Sequence, residues 1–313
     1  MLKLHFLNVG DGDAILLEDT AGEQPFRMLV DTGPEDVNQS PDSSRISAAQ
    51  YLANLGITRL DAVVITHLHT DHFGGLRALL KNVRIDTLYS GFFPELDGSI
   101  PQEPKADKSV RGLIECLNRW SADTAQLRRA GTRLYRIECT RRDVSVTGKL
   151  KVDFIHPDPA GGAFLNRVWQ AMLRGTPVSE KLKYATSKLR NPCSLRLRLD
   201  YAGRTVELAG DCYGWVWEQD APKCDILKVP HHGDPKAMTE TLAEKLQPRW
   251  AVISCGEDYI PRKDRPSAET LRLLHGQGTQ VRFTDAYTPP GGKPHRWQCV
   301  DFAILEDGRI LTP

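Results

Sequence analysis

The stretch Thr66-His67-Leu68-His69-Thr70-Asp71-His72 places three imidazoles and one carboxylate within six residues, directly behind the apolar run DAVVI (Asp61 to Ile65). Neutral imidazole and carboxylate are the standard donors for a divalent cation. His67 and His69 are one residue apart, so in an extended chain both side chains point to the same face. Asp71 and His72 follow where the chain turns into Phe73-Gly74-Gly75. Four donors on one turn can serve two cations lying close together. The alternative is a group of surface histidines that bind nothing, and so dense a cluster at a strand-to-helix turn argues against it.

A two-metal site needs further donors, including one that bridges. Asp31 ends FRMLVD, Asp211 ends TVELAGD, and His231-His232 end DILKVP. Each follows an apolar strand-like run, the place where open α/β sheets build sites. Asp211 is a natural bridging carboxylate, and one of His231 and His232 is a natural ligand for the second metal. Alone, LAGD reads as a turn aspartate and HHG as an exposed loop; their shared placement raises both. His156 is the only histidine between the cluster and Asp211, and a lone histidine after a strand reads as structural or exposed. His5, His275 and His295 receive no functional assignment. Ser194 and Ser254 lie outside any GxSxG, Cys255 lacks a clear partner in sequence, and no GK[ST] follows the glycine turns. The chemistry therefore rests on a metal-activated water rather than on a nucleophilic side chain.

The elements that must position these residues follow from periodicity. LKLHFLNV alternates with period two, GDGD turns, and AILLE and FRMLV read as further strands. ISAAQYLANLG reads as a helix stopped at Gly56. LDAVVIT is a short buried strand, FGGLRALLKN a helix and VRIDTLYSG a strand. After about Gly91 a Pro-rich loop leads to VRGLIECLNRW, whose Val110, Leu113, Ile114, Leu117 and Trp120 share one helical face. RLYRIE and KLKVDFIHP read as strands, and Ala163 to Arg190 as helical and basic. The second half repeats the grammar: a hairpin around Tyr201-Ala-Gly203, the strands CDILKVP and PRWAVISCG, the helix SAETLRLLHGQG, the strand TQVRFTD, and a closing hairpin over Glu306-Asp-Gly308. Strands followed by helices, with hairpins opening each half, predict two mixed sheets packed together with helices outside.

Bulk composition sets bounds. The chain has 313 residues, enough to bury a sizeable core, with 40% hydrophobic and 26% charged residues and a net charge of +1. That charge gives no global attraction to nucleic acid or membrane, so a nuclease needs a local basic patch. The seven cysteines form no CxxC and are odd in number, which reads as reduced thiols of a cytoplasmic protein rather than a disulfide framework. No signal-peptide layout and no apolar run of the roughly 20 residues a membrane helix needs is present.

THLHTDH resembles the HxHxDH signature of the metallo-β-lactamase fold. The wider set FLNVGDGDAILLE, LVDTG, LDAVVITHLHTDHFGGL, NPCSLRLRLDYAGRTVELAGD, DILKVPHHG and PRWAVISCG is similar to the C-terminal hydrolase domain of ComEC/Rec2-type competence proteins. The likeness covers Leu4 to Ile85 and about Asn191 to Asp285. It implies an α/β fold, an αββα four-layer sandwich, as one free-standing domain over residues 1–313 with inserts at about 91–149 and 160–190. It implies two divalent ions, Zn or Mn: His67 and His69 on the first, Asp71 and His72 on the second, Asp211 bridging, and a ligand from His231 or His232, with the lean toward His231. Asp31 would orient the cluster by hydrogen bonds. Two departures stand out. Asn191 occupies a position where many members of the fold carry a histidine, and an oxygen-richer site favours Mn²⁺ over Zn²⁺. The chain also has HHGDP and RKDRPSAET in place of HHGS and a later HPH-like segment.

The expected function is a metal-dependent phosphodiesterase, a nuclease on DNA, in which Asp71 and Asp211 are catalytic. Lys228 and Arg265 are candidate substrate contacts, the latter as a phosphate binder. Two basic runs, Arg128 to Arg142 and Lys181 to Arg198, read as solvated faces or as a binding groove. Trp215 and Trp217 stack a base or pack in the core. The rival readings are a hydrolase of a small phosphodiester, such as a phosphocholine ester or cyclic nucleotide, and a weakened metal-binding scaffold for a partner protein held through the 91–149 insert.

Overall fold

The structure, a computed structural model, describes residues 1–37, 44–255, 264–285 and 297–312. Arg262 and Lys263 of the RKDRPSAET segment lie outside the described residues. The chain opens with β1 (Leu2–Leu7), β2 (Ile15–Asp19), β3 (Phe26–Val30) and α1 (Ala48–Asn54). It continues through β4 (Arg59–Leu60), β5 (Ala62–Ile65), α2 (Thr70–Phe73), α3 (Leu76–Leu79), β6 (Arg84–Ile85) and β7 (Thr87–Ser90). Next come α4 (Lys108–Arg129), β8 (Arg133–Arg136), β9 (Arg141–Ser145), β10 (Leu150–Ile155), α5 (Pro159–Leu173) and α6 (Glu180–Leu189). The second half supplies β11 (Arg196–Tyr201), β12 (Arg204–Leu208), α7 (Gly214–Trp217), β13 (Ile226–Lys228), a 3-10 turn (Pro230–Gly233) and α8 (Glu240–Leu246). It ends with β14 (Trp250–Ile253), α9 (Ala268–Gly276), β15 (Gln280–Phe283), β16 (Cys299–Ile304) and β17 (Ile310–Leu311).

Two large sheets result, in the orders β17-β16-β1-β2-β3-β5-β7-β8 and β15-β14-β13-β12-β11-β10-β9. In each, antiparallel hairpins give way to a parallel zone: β3-β5-β7-β8 in the first and β12-β13-β14-β15 in the second. Burial on both faces explains the unbroken apolar strands. In β5, Ala62 and Val64 join Met28, Leu197 and Ile226 in the core between the sheets. Val63 and Ile65, one residue out of phase, pack with Leu52, Leu76 and Leu113 on the helix side. In β14, Trp250 and Val252 face the inter-sheet core, while Ala251 and Ile253 meet Leu242 and Leu273 of α8 and α9. Three core layers between helix, sheet, sheet and helix make this the αββα sandwich.

The 91–149 segment is built into both sheets. β8 closes one edge of the first sheet and β9 one edge of the second. Between them α4, capped by the Asp107 side chain accepting from Ser109 N at 2.7 Å, adds Val110, Leu113, Ile114, Leu117 and Trp120 to the helix-side core. The helical stretch expected over 163–190 is built as two helices, α5 and α6. Several members of the basic runs are held within the protein: Lys183 by Glu103 and Glu180, Arg190 by Leu68 O at 3.0 Å, and Arg196 and Arg198 by a shared Glu207. Arg128 meets Asp97, and Arg142 meets Asp153. No helix among the described residues is long and apolar enough to cross a membrane.

Candidate metal centre

The site forms where the parallel strands of both sheets end, the crevice that strand polarity creates. Asp31 caps β3 and is the organising acceptor. It takes Thr66 N and Thr66 Oγ1 at 2.8 Å each, and His72 Nδ1 at 2.7 Å. Its backbone sits in the left-handed region (φ 56°), strain that the surrounding hydrogen bonds hold in place. With Nδ1 committed to Asp31, His72 Nε2 faces Asp211 Oδ1 at 3.2 Å. His67 and His69 flank Leu68 on still-extended chain, and His67 Nε2 lies 2.8 Å from His69 Nδ1. Thr66 Oγ1 and Ser194 Oγ sit 3.1 and 3.3 Å from His67 Nδ1, which turns Nε2 toward Asp211 Oδ2 at 3.6 Å.

Two donor groups emerge, and they share Asp211. Ligand atoms of Asp71, His72, Asp211 and His232 lie within 4.8 Å of one another, as do those of His67, His69 and Asp211. Glycines let the backbones close around them. A Cβ on Gly12 would stand 2.6 Å from Asp71 O, and one on Gly210 (φ 50°) would stand 2.4 Å from Ser194 Oγ. The donors fit divalent cations on an observation of the site itself. His72 Nε2, Asp211 Oδ1 and both ring nitrogens of His232 are buried polar atoms without a hydrogen-bond partner. Such atoms are costly unless something coordinates them.

A sequence model of the Metallo-beta-lactamase superfamily matches residues 8–96, which contain His67, His69, Asp71 and His72. Residues 8–96 thus match the metallo-β-lactamase superfamily, and the αββα sandwich around them is the metallo-β-lactamase fold. ComE operon protein 3 of Bacillus subtilis (strain 168) is 26% identical over 301 residues, covering 90% of this chain and 32% of that protein. The chain thus spans about a third of the length of the curated relative it matches. Among solved structures, the metallo-beta-lactamase fold protein YhfI from Bacillus subtilis aligns with a TM-score of 0.47 at 13% identity, over 95% of this chain and 100% of its own. Zn(2+)-bound PqqB from Methylobacterium extorquens aligns with a TM-score of 0.47 at 11% identity, over the same shares.

Within this metallo-β-lactamase fold the second-sheet residues need sorting. The lean toward His231 as ligand is corrected by the turn geometry. Both histidines have left-handed backbones, φ 47° for His231 and 54° for His232. The resulting twist sends their rings to opposite tasks. His232 is fully buried, with Nε2 at 3.3 Å from Asp71 Oδ2 and 3.6 Å from Asp211 Oδ1. His231 is anchored by Asp234 Oδ2, 2.6 Å from Nδ1. Its Nε2 meets Asn191 Nδ2 and Arg265 Nη2 at 3.0 Å each, with Asp211 Oδ2 at 3.7 Å. Asn191 is buried beside the His67–His69–Asp211 group, and its Oδ1 has no partner.

Lys228 is corrected from substrate contact to buried support. It is 0% exposed and pairs with Asp13, because period two along β13 places it on the same side as Ile226, between the sheets. Asp13 also approaches His72 Nδ1 at 3.8 Å and His232 Nδ1 at 3.9 Å, so it stands behind two donors at once. Arg265 does reach the site, through His231, and is 24% exposed at its rim. His156 is buried, belongs to neither donor group, and lines a small cavity beside His67.

The electrostatics follow from burying so much acid. Burial pushes the Asp211 carboxyl up, but His72 and His232 more than reverse this and hold it well below the usual carboxylate range. Asp71 goes the same way, with burial again outweighed by His72 and His232. His72 is raised well above its ordinary value despite burial, by Asp211, Asp31 and Asp71. His67 is lowered by burial and then by His72, and His69 falls to about 3 through burial and Arg190. One side of the cluster is thus rich in negative charge and the other presents neutral imidazoles, the asymmetry of an oxygen-rich group beside a nitrogen-rich one.

Asp13, Ser194, Thr66 and Asp234 escaped the sequence reading. The signal for Asp13 lay in GDGDA, where the glycines drew attention as a turn. Ser194 was weighed only as a nucleophile. Nothing local marked Thr66 or Asp234.

Proposed function

We propose that the protein is a metal-dependent phosphodiesterase acting on nucleic acid. The observation that carries this reading is Asp211, whose two oxygens face two separate donor groups. Zn²⁺ or Mn²⁺ ions held by those groups would supply a hydroxide near neutral pH and Lewis-acid polarisation of a phosphoryl oxygen. His67, His69 and Asp211 would hold one ion; Asp71, His72, His232 and Asp211 would hold the other. The remaining residues serve these. Asp31 fixes the His72 tautomer, and Thr66 and Ser194 aim His67. Asp13, neutralised by Lys228, backs His72 and His232. Arg265, at the exposed rim, binds a phosphate oxygen through its planar fork. Asp234 and Asn191 keep His231 facing the same space.

The decisive assay is cleavage of single-stranded DNA, supercoiled DNA and bis-p-nitrophenyl phosphate with Mn²⁺ or Zn²⁺, beside Asp71→Ala and Asp211→Ala. Metal-dependent cleavage of all three, lost by more than about 100-fold in both variants, is the expected result, since even partners behind a ligand cost 10–100-fold. DNA cleavage should weaken steeply with salt. Turnover of the small ester alone would move the substrate to small phosphodiesters. No turnover by a folded, metal-loaded protein would overturn the proposal.

A further inference from the structure

Directly after Asp211 the chain passes through Cys212 and Tyr213 into α7, and the two tryptophans of that turn part company. Trp217 is 3% exposed, with the Arg196 guanidinium 3.6 Å from its ring centre. Trp215 is 51% exposed. Its indole lies against the Tyr213 phenol, ring centroids 4.8 Å apart at 41°. Tyr213 lies 5.4 Å from the His231 ring, and the exposed Lys236 places Nζ 5.0 Å from the Tyr213 ring centre. His231 Nε2 is 3.7 Å from Asp211 Oδ2. A row of rings therefore runs from the shared carboxylate out to solvent: His231, Tyr213, Trp215, with an ammonium alongside.

Packing explains Trp217 and does not explain Trp215. An indole half in water leaves apolar area unburied, and Lys236, over the adjoining Tyr213 ring, makes the spot a poor seat for an apolar protein surface. Flat aromatic faces beside a cation match a ligand that alternates flat rings with negative charge. Unpaired nucleobases on a phosphodiester chain are that ligand. In a duplex the base faces are already stacked on one another and cannot reach the indole.

We propose that Tyr213 and Trp215 form a stacking platform for an unpaired nucleobase next to the scissile phosphate, with Lys236 on a flanking phosphate. The proposal deepens the phosphodiesterase reading and rests on it, but its test reads binding.

Metal-loaded protein is titrated by fluorescence anisotropy with a phosphorothioate oligothymidine and with an abasic oligomer of equal length and charge. Trp215→Ala and Trp215→Phe are compared with wild type, and wild-type turnover of bis-p-nitrophenyl phosphate is measured in parallel. Wild type should prefer the base-bearing oligomer on the order of tenfold, the scale of one base stacked on an aromatic side chain. Trp215→Ala should bind both oligomers alike, and Trp215→Phe should keep most of the preference. Equal wild-type affinity for both oligomers, binding of neither, or a preference unchanged in Trp215→Ala would overturn the platform. If base-dependent binding is lost in Trp215→Ala while wild type turns over no phosphodiester, the platform stands and the catalytic reading falls.

Discussion

Two clusters of buried or half-buried histidine and acid lie on the first sheet, and they have opposite characters. One surrounds His72 at the strand ends. The other surrounds His5 in the middle of β1, beneath α1. His5 Nδ1 meets Asp301 at 2.7 Å and Tyr51 OH at 3.2 Å, and its Nε2 faces Glu18 at 3.5 Å. Glu18 in turn has Arg27 at 2.8 Å. Glu18 thus has a guanidinium beside it, and the acceptors around His5 push its ring well above the ordinary imidazole range despite burial. Around His72 stand Asp13, Asp31, Asp71 and Asp211, with Lys228 as their lysine partner among the described residues and with ring nitrogens of His72 and His232 unpartnered. His5 Nε2 likewise lacks a hydrogen-bond partner, and ligand atoms of His5, Cys299 and Asp301 also lie within 4.8 Å of one another. The contrast is one of charge: mid-strand Glu18 has Arg27 beside the imidazole, whereas where strands end four aspartates gather around His72 with Lys228.

Substitutions can break that contrast. The largest effect on stability is expected from Lys228→Met, which leaves Asp13 charged, buried and short of its main partner. Removing one member of a buried pair costs about 3–5 kcal/mol, read as a lower urea midpoint. A change below about 1 kcal/mol would show that the imidazoles alone carry Asp13. Next comes Asp31→Ala, which frees His72 to turn. Metal affinity should fall about 10–100-fold by equilibrium dialysis, with the folded state retained. Unchanged affinity would mean the ring is held by packing.

The third test is the pH dependence of the His5 cluster. Burial pulls His5 down, but hydrogen bonds to Asp301, Cys299 and Glu18 outweigh it and raise it to about 11 from 6.5. A group raised on folding stabilises fully below its unfolded value and is lost as pH climbs through the folded one. Its contribution should therefore fade between about pH 6.5 and 11. Glu18, lowered to about 2 from 4.5 by His5 despite burial, should fade instead as pH falls through that range. In His5→Gln the alkaline slope of the denaturation midpoint should flatten while metal content holds. An unaltered slope would place the alkaline loss elsewhere.

The sequence disclosed what is local. His67 to His72 are contiguous, and the unbroken apolar runs of β5 and β14 mark strands buried on both faces. Asp31 and Asp211 were visible because each ends an apolar run. The choice between His231 and His232 was not visible, since it depends on two consecutive left-handed residues whose twist has no pattern in DILKVPHHG. Lys228 was misplaced because its partner, Asp13, comes from the other end of the chain. RLYRIE was legible as a strand, whereas RRDVS read only as a charged run because edge strands keep exposed polar side chains, and the pairing of both into the two sheets depends on distant neighbours.

The donors come from both sheets. His67, His69, Asp71 and His72 follow a strand of the first, and Asp211 and His232 follow strands of the second. Neither sheet alone owns a complete set. The backbone marks the same seam, where Leu195 N of the second half donates to Thr66 O of the first at 2.9 Å. Coordination is therefore a report on assembly: it becomes possible only in a chain whose two halves have already met in register, and a partly folded chain with either sheet formed alone has no cradle to offer an ion.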